Sequence, residues 1–318
     1  MTTYIIRRLI MAIIVLLLVT TIVFFAMRLL PGDPIRMLVA QSQEVNFTEE
    51  QVELLRHQHG LDRSLIIQYF DWLGDILHGD LGRSVFTNAP VVEQITQRLP
   101  VTFHLGILAF IISIILGVPA GIISAVRRGK WTDTSVTTLA NLGITVPQFW
   151  LGVIMMLVFG LWLGWLPIFG YTSPFEDFWM STRQLIMPVI CLAIFPIAGN
   201  ARQARSSMLE VMHQDYIRTA WAKGLRERAI IVKHAMKNGL IPVVTLLGAG
   251  ISQILGGSVF VETVFAVPGM GRLIVTSVTS QDYPYVQAII LILATVTLLS
   301  NLAVDLLYGW LDPRIRYD

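Results

Sequence analysis

The sequence predicts an all-α integral membrane protein with six transmembrane helices, on three grounds. Its 318 residues are 54% hydrophobic and 14% charged, against about 45–50% and about 25% for a soluble domain. Apolar stretches reach the roughly 20 residues that a bilayer crossing needs. Lysines and arginines gather in alternate loops, as the positive-inside rule describes. A soluble core has no place for so much apolar surface, so the bilayer takes it up.

The first span covers Leu9 to Met27, behind Arg7 and Arg8. Its apolar run exceeds the roughly 7–15 residues of a signal-peptide core, and no small residues follow at cleavage spacing. The helix is therefore retained. The second span runs over 101–126, opening after Pro100, and the third over 137–166. The fourth, 185–200, carries Pro188 and Pro196 inside it. The fifth begins at Leu240-Ile241-Pro242 and ends near Phe260, and the sixth covers 286–307. Six crossings place both termini, the 127–136 loop and the 201–239 loop on one side. That side holds 15 of the 23 Lys and Arg but 7 of the 21 Asp and Glu, so it is cytoplasmic.

Residues 30–100 then lie outside. Thr48 followed by Gln51 reads as a capping box, with Glu49 and Glu50 in the first turn, and Gly60 closes that helix. A second helix, Ser64 to Leu77, ends at Gly79. Its apolar residues cover more than one face, so it packs on the bundle or lies in the membrane interface. Such a cap suits docking of an extracytoplasmic protein or serves as a plain lid, and the pattern leaves both open.

In the 201–239 loop, Leu209, Met212, Tyr216 and Ala220 fall on one helical seam. Gly224 permits a turn or a close approach, and a second helix follows over 227–237. Arg218, Lys223, Arg226, Arg228, Lys233 and Lys237 make the loop basic. Topology alone requires basic character there, and anionic lipid headgroups suit it too. The length, about 39 residues, far exceeds the 2–8 of an ordinary helix connection.

Enzyme chemistry finds no foothold. Gly129-Lys130 lacks the upstream glycine of a P-loop, and no His-Glu-x-x-His pattern occurs. Gly257-Ser258 lacks the second glycine of a nucleophile elbow. His57 and His59, two apart, do not share a helical face. Cys191 is a small apolar residue in an apolar run. No catalytic residue, metal site, cofactor or nucleic-acid contact is expected on this chain. An ion-coupled carrier or channel is the rival transport class. It calls for ionisable groups at mid-bilayer, whereas Arg28, Glu262 and Asp305 sit near span ends. The polar residues Asn141, Asn200, Ser252, Gln253 and Asn301 line a path or bridge helices.

The run Asp215 to Gly224, then His234 and Asn238 to Pro242, resembles the cytoplasmic EAA loop of ABC importer permeases. More narrowly, the chain resembles the first, long-external-loop permease subunit of the peptide/nickel (dipeptide/oligopeptide) transport family. Matching segments extend nearly end to end: Leu30 to Pro34, Gly60-Leu61-Asp62 with Gln68-Tyr69, and Gly79 to Gly82 with Ser84. Then come Val146-Pro147 with Phe149 to Leu151, Trp165-Leu166-Pro167, Glu262 to Phe265, Pro268 to Leu273, Asp282-Tyr283-Pro284 with Gln287, and the tail Leu311 to Arg316. Three positions depart from the pattern. Trp221 stands where arginine is common, Gly239 where alanine is common, and Val267 where tryptophan is common.

The resemblance implies a type I importer fold: an extra N-terminal helix (1–29), an extracytoplasmic helical loop (30–100), and a five-helix core (101–318) with its coupling loop at 201–239. It implies a bacterial inner-membrane protein that forms half of a peptide pathway with a second permease. Two cytoplasmic ATPases would drive it and an extracytoplasmic binding protein would feed it, with a nickel chelate as the alternative cargo. Carried over by position, Asp215, Tyr216, Arg218, Thr219, Ala220, Lys223 and Gly224, with Trp221 as the departure, would form the ATPase-docking surface.

Overall fold

The computed structural model describes residues 2–29, 32–41 and 48–311, and these are dominated by helices joined by short turns. They are α1 (Thr2–Leu29), α2 (Pro34–Gln41), α3 (Glu49–Gln58), α4 (Leu65–Leu77), α5 (Val91–Val126), α6 (Trp131–Thr145), α7 (Gln148–Trp162), α8 (Phe178–Met212), α9 (Asp215–Ala222), α10 (Glu227–Gly239), α11 (Ile241–Val264), α12 (Met270–Thr279) and α13 (Tyr283–Leu311). Two compact units emerge, one of residues 1–101 with 268–298 and one of 102–267 with 299–318.

In the first unit, α2 starts with Pro34 at its first position, where a missing N–H costs nothing. Asp33 Oδ1 caps it by accepting from the Ile35 amide at 3.0 Å. The capping box on α3 forms as expected, with Thr48 and Gln51 satisfying each other's amides. α4 leans on α1 through Tyr69 and Trp72, whose rings pack against Phe24, while Ile66, Ile67 and Phe70 remain exposed. Val91, Ile95, Met270, Leu273, Tyr285 and Ile289 form the main core of this unit.

In the second unit α8 is the central helix, packed against the 118–126 end of α5 and against α6, α7 and α11. The approach to α5 is close because Gly117 and Gly121, one turn apart, face it. A Cβ on Gly121 would lie 2.3 Å from the Ala201 carbonyl oxygen, and one on Gly117 2.7 Å from that of Ile197. Small residues four apart are how apolar helices gain van der Waals contact in a membrane, where lipid removes the hydrophobic drive.

Several boundaries differ from expectation. Pro100 lies inside α5 rather than before it; burial of Val91 and Ile95 upstream outweighs the hydrogen bond it removes. The third span is broken. α6 and α7 meet at 102°, because Pro147 donates no amide and holds Val146 extended at φ −74°, ψ 123°. α8 runs on to Met212, so 201–212 continues a span instead of opening a loop. The fifth span is the apolar part of a second bent pair, α10 with the start of α11, at 47°. Among the described residues, four helices are long and apolar enough to cross a membrane, or up to six if each bent pair is one span. α12 had no sequence signal of its own. Of the motifs above, Leu30-Pro31 and the tail after Leu311 fall outside the described residues.

Candidate functional site

The proposed seam of Leu209, Met212, Tyr216 and Ala220 does not form on one helix. His213 and Gln214 break the chain, with Gln214 extended at φ −73°, ψ 149°, and α9 restarts at Asp215. The face that α9 buries is instead set by Ile217 (1% exposed) and Ala220 (6%). These two, three residues apart, join Ala125, Met208, Ile230 and Ala235 in one apolar cluster. Ala220, expected on the docking surface, therefore points inward. An eight-residue helix has too few hydrogen bonds to hold itself, and this burial fixes it against α8 and α10. Ile217 was missed because its neighbours, Tyr216 and Arg218, dominate the local pattern.

The opposite face is open. Tyr216 is 41% and Trp221 47% exposed, and Asp215, Arg218, Thr219, Lys223 and Gly224 are exposed beside them. Asp215 Oδ1 accepts from Arg218 at 3.3 Å, a pair between exposed groups that contributes little stability. Thr219 Oγ1 donates to the Asp215 carbonyl at 3.0 Å. Asn238 Nδ2 donates to Tyr216 Oη at 3.0 Å and so pins the aromatic to α10. Gly224 ends the helix at φ +72° with open space where a side chain would stand. The glycine is thus needed for the left-handed turn, since nothing approaches it closely. Gly239 has a different reason: a Cβ there would meet Met208 Sδ at 2.7 Å, so this departure leaves room for the thioether.

Beside this surface lies a buried ion pair absent from the sequence expectation. Asp133, at the start of α6, accepts from Arg205 Nε at 2.7 Å and Nη2 at 3.0 Å. Its oxygens also accept from Ser124 Oγ at 2.5 Å and the Gly129 amide at 2.9 Å. The arrangement ties the 127–130 turn to the C-terminal part of α8. Its members are 72 residues apart in sequence, so no spacing rule reveals them.

The four pathway candidates separate. Asn200 is buried on α8 and donates to the carbonyl and Oγ of Ser113 at 3.3 Å each. Ser113 opens a wide helical turn, 113–117, in α5, where the widened hydrogen-bonding pattern leaves its carbonyl available. Asn200 and exposed Gln253 both line a cleft of about 180 Å³, with Phe110, Phe195 and Arg202. Ser252 pairs instead with Asn301 at 3.3 Å and, like exposed Asn141, does not line the cleft. Glu262, near the end of α11 as expected, is fully buried and accepts from Thr102 Oγ1 at 2.8 Å.

Comparison with known proteins agrees over the whole chain. Residues 1–106 match the N-terminal model of binding-protein-dependent transport system membrane components, and residues 117–317 match the model of the inner membrane component. A chain from Brucella abortus named as a peptide transport system permease is 44% identical over 321 residues, covering all of both chains. The dipeptide transport system permease of Alkalihalophilus pseudofirmus is 40% identical and the glutathione transport system permease of Pectobacterium atrosepticum 41% identical, each over the full length of both chains. Among solved structures, the MetNI methionine ABC transporter in inward-facing form aligns over 69% of this chain and 96% of that chain. Its TM-score is 0.55 at 16% identity, which speaks to the fold alone. Apolar helices through the described residues and full-length relatives lead to one conclusion: the chain belongs to the family of binding-protein-dependent transport system inner membrane components and is a multi-pass transport permease, not an enzyme.

Proposed function

We propose that this permease forms half of a pathway that imports peptides, paired with a second permease, driven by two cytoplasmic ATPases and fed by an extracytoplasmic binding protein. The relatives' names, which mention peptide, dipeptide and glutathione, favour peptide over a nickel chelate. Membership of a binding-protein-dependent family sets aside the ion-coupled carrier or channel. In this reading both termini are cytoplasmic, residues 30–100 form the external cap on which the binding protein rests, and 101–318 is the permease core.

The observation that carries the coupling role is the two-faced geometry of α9. Ile217 and Ala220 anchor it to α8 and α10, while Tyr216, Trp221 and Leu225 stay exposed together with Asp215, Arg218, Thr219, Lys223 and Gly224. A rigidly anchored helix with an uncovered aromatic and charged face is a lever: an ATPase that grips the outer face moves α8 through the inner one. ATP never touches this chain. Solute would meet the Asn200–Gln253 cleft, because a zwitterion cannot shed its hydration into hydrocarbon without polar partners. The test is co-purification of the ATPases with a Trp221→Ala, Tyr216→Ala double variant. Loss of the ATPases with normal membrane insertion is the expected result. Retention of both assembly and uptake rules out this face as the docking surface.

A further inference from the structure

In the first unit α4 is held at a defined height on a membrane-spanning helix. α1 is apolar over Ile6–Leu29, about 36 Å at 1.5 Å per residue, against about 30 Å of hydrocarbon in a bilayer. α4 meets the last two turns of that span. Thr21 Oγ1 and Tyr69 Oη share a hydrogen bond of 3.0 Å, and Arg28 Nε donates to Gln68 Oε1 at 2.7 Å. Between them the Phe24 ring centroid lies 5.3 Å from that of Tyr69 and 5.7 Å from that of Trp72. These turns reach the boundary between hydrocarbon and water, where the amphipathic rings of tyrosine and tryptophan concentrate.

The two flanks of α4 beside this contact differ in kind. At about 100° per residue, Ile66, Phe70, Leu73 and Leu77 fall within about 60° of one another. Ile66 and Phe70 are each 64% exposed and Leu77 79%, so most of this stripe is uncovered. Asp71 and Asp75 fall about 120–160° from its centre, on the other side of the face that meets α1. They line a polar cleft with His57, His59 and Asp80, and Asp71 pairs with Arg63 at 3.0 Å. A helix held at the surface of a bilayer presents one flank to acyl chains and the other to water. The exposed stripe also continues a surface already given to lipid, that of Leu17, Leu18 and Ile22 on α1, all exposed.

We propose that α4 lies in the membrane–water interface, with Ile66, Phe70, Leu73 and Leu77 inserted among the acyl chains of zwitterionic phospholipid at the level where α1 leaves the bilayer. The lipid class follows from charge. α4 holds two aspartates and no lysine or arginine, so it has nothing with which to attract anionic headgroups, which basic segments recruit. Insertion is driven by apolar area alone. The leaflet is the outer one in the orientation proposed above, but the contact itself depends only on the packing of α4 on α1. It makes α4 the foot by which the 30–100 segment stands on the membrane, and leaves the polar flank to face water.

The experiment uses the full chain in phosphatidylcholine nanodiscs, on a Cys191→Ala background, with a nitroxide label on a single cysteine at Ile66, Phe70, Leu77, Asp71 or Asp75. Collision with oxygen, which partitions into lipid, is compared with collision with a water-soluble nickel chelate. The oxygen-to-nickel ratio should be several-fold higher at Ile66, Phe70 and Leu77 than at Asp71 and Asp75, and close to that of a label at Ile22 on α1. Exchanging a third of the lipid for phosphatidylglycerol should leave the ratios unchanged. Ile66→Asp with Phe70→Asp should shift the label at Leu77 toward the water pattern, with the chain still monodisperse. Equal ratios on both flanks, a requirement for phosphatidylglycerol, or an unmoved Leu77 label in the double variant would each overturn the proposal. So would stripe labels that are wet in nanodiscs and become protected only when the purified binding protein is added, since the face then docks a protein. Neither uptake nor ATPase assembly enters the measurement, so its failure leaves the peptide-import reading intact.

Discussion

Replacing Asp133 by alanine removes one partner of a bidentate pair and leaves Arg205 facing two lost acceptors. The Asp133 side chain is 8% exposed and that of Arg205 29%. Breaking a buried pair costs about 3–5 kcal/mol, most of it from the stranded partner charge. Because Arg205 keeps access to water, the cost falls below that range, to about 2–3 kcal/mol. Ser124 Oγ and the Gly129 amide, also orphaned, keep the value from falling further. At about 2–4 °C per kcal/mol for a unit of this size, the melting temperature should fall by about 4–12 °C, read by intrinsic fluorescence in detergent. The double variant Asp133→Leu with Arg205→Met removes both charges and should recover most of the loss, since the desolvation of the pair disappears with it. An unchanged melting temperature in Asp133→Ala, or a double variant weaker than the single, refutes the reasoning.

Further outcomes follow from the same contacts. Gly121→Leu, placing carbon 2.3 Å from the Ala201 carbonyl, should abolish accumulation of folded protein in membranes, measured by size-exclusion of a fluorescent fusion; a normal monodisperse peak contradicts the close packing of α5 on α8. Gly239→Ala should destabilise by about 1–3 kcal/mol as an overpacking change, and Met208→Ala in the same chain should relieve part of it in a thermal melt. Ile217→Ala should cost about 2–5 kcal/mol and loosen α9 first, seen as faster amide exchange over 215–222 with the rest protected. Asp282 is held above the ordinary carboxylate range by burial, against hydrogen bonds from Ser84 Oγ at 2.5 Å and the Val85 amide at 3.2 Å. A raised folded pKa contributes stability below the unfolded value of 3.8 that is lost as pH rises through the folded one. The wild type should therefore lose stability relative to Asp282→Asn on going from acid to neutral pH, and parallel pH profiles for the two proteins would exclude it.

The apolar spans were readable from the sequence because a bilayer imposes a length and a composition that no short-range accident imitates. The capping box at Thr48 and the helix stop at Gly224 were readable too, since both are decided by residues within one turn. What escaped was decided across longer distances. Pro100 reads as a boundary until Val91 and Ile95 are known to be buried, and Val146-Pro147 reads as a passable step until the helices beside it turn by 102°. α9 shows the same division. Its exposed chemistry was legible, but the seam through Met212, Tyr216 and Ala220 does not form, because the break at Gln214 shifts the register that a continuous helix would have kept, and Ile217 takes the buried place. Asp133 with Arg205 has no sequence signature, since the pair joins helices that only the fold brings together.

The bend between α6 and α7 also bears on how the chain is made. A continuous apolar helix can leave the insertion machinery alone, because it satisfies its own backbone. A span broken at Val146-Pro147 cannot, for the carbonyls and amides near the break lack helical partners and hydrocarbon offers none. Its burial partner is α8, whose residues Ile194 and Ala198 sit against Gly143 and which is synthesised only afterwards. The broken span must therefore wait in a protected, partly polar setting until α8 emerges. A nascent chain that ends before Phe178 presents an unfinished surface to the quality-control machinery of the membrane.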